Sequence, residues 1–254
     1  MMRTQPLIAE VIISSADGTP LWTIAAGEGS LTILLSNGGP GCPDYLASLA
    51  GLLAGTDRRV VRWEQRGTGR SGGDPDGPFS IAQCLTDMET IREHYGCERW
   101  VVAGHSWGAD LSLIYALTHP DRCAGLLCVA GGRLTNDREW YAAYARGVAE
   151  GREEPLKTDP PTNMSVNRQL SADFKRYIQR PMLFREAAAL QTPALFLYGA
   201  EDIRPPWAVA QVAALLPRAQ LNLMPHADHY LYLTHPKHLQ SQADAVLSSL
   251  QRAL

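Results

Sequence analysis

The sequence predicts an α/β protein of one domain, a mostly parallel twisted sheet of about eight strands covered by helices, with a small helical lid inserted late in the chain. Short apolar runs rich in valine and leucine alternate with stretches of helical period along most of the chain. One polar stretch, from Arg133 to about Leu190, breaks that alternation. A serine between glycines, in "AGHSWGAD" from Ala103 to Asp110, stands where an apolar run meets a helical stretch. Strands alternating with helices imply right-handed crossovers and a sheet covered on both faces, with a site at the carboxyl ends of the strands.

The first third reads as strands. "LIAEVIISS", "PLWTIAA" and "LTILLSNGG" are β-rich runs separated by Asp17-Gly18 and by Gly27-Glu28-Gly29, both turn signals. A helix around Tyr45 to Ala54 leads into the short strand "RRVVRWEQ". Ser80 with Gln83 makes a capping-box pattern, after which Ile81, Cys84, Leu85, Met88 and Ile91 recur at helical spacing. "WVVAG" reads as a buried strand feeding a helix with Leu111, Ile114, Tyr115 and Leu117 on its apolar positions. "GLLCVAGG", "ALFLYG" and "LNLMP" supply the remaining strands. The polar stretch contains "EGREEPLKTDPPTN" and holds Trp140, Tyr141, Tyr144, Phe174 and Tyr177. The expected division is therefore a core over 1–132 and 191–254 and a helical lid over 133–190.

The 254 residues contain no evident second nucleotide-binding half and no repeat series. A chain that is 45% hydrophobic and 19% charged, with a net charge of -3, argues against nucleic acid or an anionic membrane as partner. A small molecule or short peptide is the expected partner. "MMRTQPLIAEVIISS" lacks the apolar core of a signal peptide, and no stretch reaches the ~18 to 20 apolar residues of a membrane helix, so a cytoplasmic protein is expected. The cysteines (Cys42, Cys84, Cys97, Cys123, Cys128) are odd in number and lack a C-x-x-C pair, which reads as reduced and structural. Cys42 either borders the site or packs as a small apolar residue.

Gly104-His105-Ser106-Trp107-Gly108 matches G-x-S-x-G, the nucleophile elbow. Its glycines let backbones approach at a strained turn while the serine hydroxyl projects from the top of the sheet. A serine hydroxyl becomes a nucleophile when a base takes its proton and a carboxylate orients that base. In an elbow enzyme these partners follow the serine in the order acid, then histidine. "LFLYGAEDIRPP" places Asp202 just past a strand, with Glu201 as the competing acid. "LNLMPHADHYLYLTHP" places His229 past the next strand, between His226 and His235. These histidines lack the carboxylate or cysteine set of a metal site, so no metal and no cofactor is expected. The developing oxyanion needs backbone donors: Trp107 N–H and one from "SNGGPG" (Ser36 to Gly41), Gly39 before Gly38, with Pro40 fixing the loop without donating.

Together these motifs resemble the α/β-hydrolase fold, and within it the proline iminopeptidase-like serine hydrolases. "NGGPG" corresponds to that family's H-G-G-P-G loop, "EQRGTGRS" (Glu64 to Ser71) to its D-Q-R-G-x-G-x-S, and "GHSWGADLSLIYALTHP" to its elbow and helix. "YGAEDIRPP" and "ADHYLYLTHP" are similar to its acid and histidine loops. The family's histidine precedes a proline by seven positions, as His229 precedes Pro236, so the resemblance selects His229 over His226. Asn37 replaces the usual histidine, Glu64 the usual aspartate, and Asp228 a common glycine. Arg66 reads as a residue that ties loops together by hydrogen bonds.

The resemblance implies an acyl-enzyme at Ser106, His229 as base and then acid, Asp202 orienting it, and Gly39 and Trp107 holding the oxyanion. Familiar members carry a longer cap whose glutamates bind the substrate's free amino group. The lid acids here are Glu139, Glu150, Glu153 and Glu154, which read as a solvated face. The expected reaction is hydrolysis of a small amide, such as an N-terminal prolyl bond, or of an ester; a carboxylesterase, lactonase or carbon-carbon bond hydrolase is the alternative. A ligand-binding protein of the same fold is the non-enzymatic reading.

Overall fold

A computed structural model describes residues 8–135, 138–153 and 156–252. The strands are β1 (Ile8–Ser14), β2 (Pro20–Ala26), β3 (Leu31–Ser36), β4 (Arg58–Trp63), β5 (Trp100–His105), β6 (Cys123–Val129), β7 (Ala194–Gly199) and β8 (Ala219–Met224). They form one 8-stranded sheet in the order β1-β2-β4-β3-β5-β6-β7-β8. β2 is antiparallel to β1 and to β4, and every other pairing is parallel.

The helices are α1 (Ala47–Leu53), α2 (Ile81–His94), α3 (Trp107–Thr118), α4 (Arg138–Ala149), α5 (Met164–Tyr177), α6 (Leu183–Ala189), α7 (Trp207–Leu215), α8 (Leu231–Thr234) and α9 (Pro236–Gln251). Successive side chains of a strand face opposite sides of the sheet, so a strand covered on both faces must be apolar throughout. Leu34, Val102 and Phe196 join one core layer with Met88 and Ile91 of α2, Leu111 of α3 and Val209 and Val212 of α7. Their neighbours Ile33, Leu35, Val101, Ala103, Leu195 and Leu197 join the opposite layer with Leu49 and Leu53 of α1 and Leu239, Ala243 and Leu247 of α9. The expected helix around Tyr45 begins at Ala47, which leaves the Tyr45 side chain in the preceding loop.

Between β6 and β7 the described residues form α4, α5 and α6. Helix α5 starts where Asn163 Oδ1 accepts from the N–H groups of Ser165 (2.9 Å) and Val166 (3.3 Å), an N-cap. Its Val166, Leu170 and Phe174 recur every fourth residue and pack into the α2–α3 layer. Asn163 Nδ2 donates to the Gly67 carbonyl at 2.8 Å, and the Ile81 N–H donates to Asp173 Oδ2 at 2.8 Å, so the segment is docked by polar contacts as well. Among the described residues no helix is long and apolar enough to cross a membrane. Cys84, Cys97, Cys123 and Cys128 are buried thiols, and Cys42 is half-buried with its Sγ 3.1 Å from Thr162 Oγ1.

Arg66 connects separate loops. Its Nε and Nη2 donate to the two oxygens of buried Asp87 in α2 at 2.8 and 2.6 Å, and Nη1 donates to Asp17 in the β1–β2 turn at 2.6 Å. Removing one partner of a buried, two-point ion pair leaves the other charge uncompensated. Asp87→Ala is therefore expected to cost roughly 3–5 kcal/mol in urea unfolding; a loss below about 1 kcal/mol would show that Asp17 alone suffices.

Candidate active site

β3 has β4 on one side and β5 on the other, so the chain reverses its direction of travel across the sheet between these strands. Such a switch point opens a crevice at the carboxyl ends of the strands. The loop 37–41 leaves β3 there, and Ser106 leaves β5 beside it. Ser106 has φ 55 and ψ -121, outside the regions that ordinary residues favour. Its N–H donates to the Val129 carbonyl at 2.8 Å, which ties the turn to the end of β6. Ser106 is the N-cap residue of α3, yet its side chain makes no capping bond. A serine in that place ordinarily satisfies the first turn of its own helix; here the Ala109 and Asp110 N–H groups donate to the Ser106 carbonyl at 2.9 and 3.2 Å, and the hydroxyl is not spent on the helix.

The glycines around it are required by contact. A Cβ on Gly104 would collide with the Gly108 backbone, one on Gly108 with the Ser36 carbonyl, and one on Gly131 with the Ser106 carbonyl. Three strand ends and the start of α3 thus meet at backbone distance.

Asp202 follows β7 and His229 follows β8. His229 Nδ1–H donates to Asp202 Oδ2 at 2.6 Å, and both side chains are buried. Asp202 Oδ1 accepts from Arg204 N–H at 2.8 Å and Arg204 Nη1 at 3.2 Å. Burial pushes the Asp202 carboxyl up, but His229 and then Arg204 outweigh it and hold the group below its usual 3.8. The competing pair lies outside: His226 and Glu201 are exposed and bond each other at 2.9 Å.

A polar chain that the sequence does not announce links this pair to the elbow. Gly38 N–H donates to Tyr45 Oη at 2.8 Å, Tyr45 O–H donates to His105 Nδ1 at 2.7 Å, and His105 Nε2–H donates to the His229 carbonyl at 2.9 Å. The His229 carbonyl calls for a proton on His105 Nε2, and burial keeps the ring neutral, which leaves Nδ1 to accept from Tyr45. The Gly38 N–H is thus engaged, and Gly39 of the same loop lines the cavity with Ser106 and Trp107.

Arg204 also reaches into the segment between β6 and β7. Its Nη1 and Nη2 donate to Glu153 Oε2 and Oε1 at 2.6 and 2.9 Å, and the guanidinium lies 4.8 Å from the Tyr144 ring centre. Sequence reading placed Glu153 on a solvated face; Arg204 lies far from it in the chain, and only the fold joins them. Ligating atoms of Glu153, Asp202 and His229 fall within 4.8 Å of one another, and the positive charge among them is the Arg204 guanidinium.

The crevice encloses a cavity of about 370 Å³, with Ser106, Gly39 and Trp107 in its lining alongside Asp110, Arg133 and Trp140. Asp110, one helical turn after Ser106, accepts from the N–H groups of Gly132 (2.8 Å) and Arg133 (2.9 Å) at Oδ1 and from Arg133 Nε at 3.2 Å at Oδ2. Arg133 in turn lies over the Trp140 ring, 4.0 Å from its centre. Burial raises the Asp110 carboxyl above its usual range against the pull of Arg133.

Residues 32–149 match the model of the α/β hydrolase fold family. The solved proline iminopeptidase of Mycobacterium smegmatis superposes with a TM-score of 0.73 at 19% identity, over 96% of this chain and 99% of that one. Est816, described as an N-acyl homoserine lactone degrading enzyme, superposes at 0.75 and 21% identity, over 92% and 99%. The chain is a protein of the α/β-hydrolase fold. Within that fold its sequence resembles the proline iminopeptidases: a probable proline iminopeptidase of Streptomyces coelicolor is 37% identical over 142 residues, 52% of this chain and 43% of that protein. The chain matches less than half the length of such curated relatives.

The neutral His105 sets a pH dependence. Burial, then the neighbouring His229, holds its imidazole well below the ordinary 6.5. The unfolded chain takes up that proton below about 6.5 while the folded protein does not, so stability is complete above this pH and falls beneath it. The expected slope reaches about 1.4 kcal/mol per pH unit only well below 6.5, so the loss between pH 7.5 and 5.5 is about 1.4 kcal/mol in all, read from urea unfolding. His105→Gln is expected to flatten it; an unchanged slope would place the proton uptake elsewhere.

Proposed function

We propose that this protein is a cofactor-independent serine hydrolase that cleaves a small ester or amide through an acyl-enzyme on Ser106. The observation that carries this reading is a serine in a strained strand-to-helix turn, excused from capping its own helix and lining a cavity, with a buried His229–Asp202 pair tied to the same turn through His105. In the proposed reaction His229 Nε2 takes the Ser106 proton as Oγ attacks the substrate carbonyl. Asp202 keeps the other ring nitrogen protonated and stabilises the imidazolium. Gly39 and Trp107 N–H groups receive the oxyanion, with the amino end of α3 adding its favourable dipole. Collapse of the tetrahedral species breaks the bond to the leaving group, which takes the proton from His229. Water, deprotonated by the same histidine, then releases the acyl group.

The segment 133–190 is the proposed lid. Recognition of a free amino terminus requires a carboxylate with open acceptor positions at this lid. Glu153 is held by both nitrogens of the Arg204 fork, Glu150 pairs with Arg152 at 2.8 Å, and Glu139 is exposed; Glu154 lies outside the described residues. That arrangement favours a small ester over an N-terminal prolyl amide, and in this the reading departs from what the name of the iminopeptidase relatives suggests.

Ser106→Ala is expected to abolish turnover of a short-chain 4-nitrophenyl ester, a loss of at least about 10³-fold, while leaving the urea midpoint unchanged. Comparable turnover by the variant would sink the assignment. With the wild-type protein, kcat/KM for a proline 4-nitroanilide is expected to fall below that for the ester by more than about tenfold; the reverse order would mean that the lid recognises an amino terminus after all.

A further inference from the structure

We infer that the cavity at Ser106 takes a substrate carrying a carboxylate, and that Arg133 anchors it, with the Trp107 indole as a second donor. The inference rests on the hydrolase reading above and adds the chemical class of its substrate.

Buried polar atoms in folded proteins nearly always have partners, so the ones that lack them mark where a partner is missing. Among the described residues lining the cavity, two side-chain atoms are buried without a hydrogen-bond partner: Arg133 Nη1 and Trp107 Nε1. Both are donors, and neither can accept. Among the buried side-chain atoms of the lining, the unmet demand is therefore for acceptor oxygens.

The other charges around the cavity are internally satisfied. Asp110 accepts from two backbone N–H groups and from Arg133 Nε. Arg204 is held by Glu153 and Asp202. Asn167 Nδ2 donates to the Pro40 carbonyl at 2.9 Å, and Tyr198 O–H to the Arg204 carbonyl at 3.1 Å. Arg133 keeps the remainder of its fork after pairing through Nε, and a guanidinium fork matches the two oxygens of a carboxylate. Its ring contacts hold it in place: its centre lies 4.0 Å from the Trp140 ring centre and 5.4 Å from that of Phe174, and Phe174 meets Trp107 edge-on at 5.6 Å. The two orphaned donors thus belong to residues packed on one phenyl ring beside Ser106.

The test compares mono-(4-nitrophenyl) glutarate with 4-nitrophenyl pentanoate, equal in acyl length and differing in the terminal carboxylate. The expected result is a kcat/KM at least about tenfold higher for the glutarate ester, with Arg133→Gln and Trp107→Phe each reducing that ratio several-fold. Because Arg133→Gln leaves buried Asp110 without its charged partner, it is also made together with Asp110→Asn, and Trp107→Phe removes the indole N–H but keeps an aromatic ring and the backbone N–H. A ratio of one or less in the wild type, or variants that slow both esters in proportion, would overturn the inference and leave Arg133 a structural partner of Asp110. Glutarate binding followed by tryptophan fluorescence separates the two readings. If neither ester is cleaved but glutarate binds and Arg133→Gln weakens it at least about tenfold, the hydrolase reading fails and this one stands. Ester turnover without glutarate binding or carboxylate preference gives the opposite result.

Discussion

The close approach of backbone at Ser106 is the constraint on which the rest of the site depends. The ends of β3, β5 and β6 and the first turn of α3 meet where Gly104, Gly108 and Gly131 leave no room for a side chain. The turn places Ser106 at φ 55, a backbone cost of order 1–3 kcal/mol. Parallel strands on both sides of β5 and the Ser106 N–H bond to Val129 hold it there. What the strain achieves is directional. A relaxed serine before α3 would fold back to cap its helix; this one does not, and Ser106 and Trp107 both line the crevice.

From that point a continuous hydrogen-bonded path crosses the loops of the crevice. It runs from Gly38 through Tyr45 and His105 to the His229 carbonyl, and from the His229 ring through Asp202 and Arg204 to Glu153. The first half is uncharged, which suits the burial of His105, since an ion there would lack compensation. The second half is charged, and each carboxylate in it faces the same guanidinium. Arg204 therefore couples the position of the segment between β6 and β7 to the acid that orients His229. Moving Glu153 away would leave that guanidinium bonded to Asp202 alone.

How much of this the sequence discloses depends on the range of the interaction. The strands and helices were legible because period and length are local, and the alternation of Ile33, Leu34 and Leu35 between two core layers is what a doubly covered strand produces. The elbow was legible because its glycines are forced by sterics within a few residues. The polar partners were not. Tyr45 and His105 stand 60 residues apart, Arg204 and Glu153 51 apart, and Arg133 and Asp110 23 apart. Each, taken alone in the sequence, is an unremarkable tyrosine, histidine, arginine or acid, and only strand order brings the pairs together. Glu153 is the plainest case: nothing in "GREEP" separates it from Glu154, whereas among the described acids between β6 and β7 Arg204 pairs with Glu153.

The same pairings decide which charge the cavity can accept. An ammonium group entering beside Ser106 would meet Asp110 already paired with Arg133, so it would have to share that carboxylate with a guanidinium. A carboxylate would displace nothing, because Arg133 and Trp107 hold open donors. Negative charge also develops on the substrate carbonyl during acyl transfer, so a second anion in the same small cavity is tolerated only where a cation is fixed nearby. Arg133, held by Asp110 in the helix that begins at Ser106, meets that condition. Its position relative to Ser106 is set through Asp110, one turn into α3. The length between the carbonyl and the carboxylate of a substrate is therefore a property of the elbow itself.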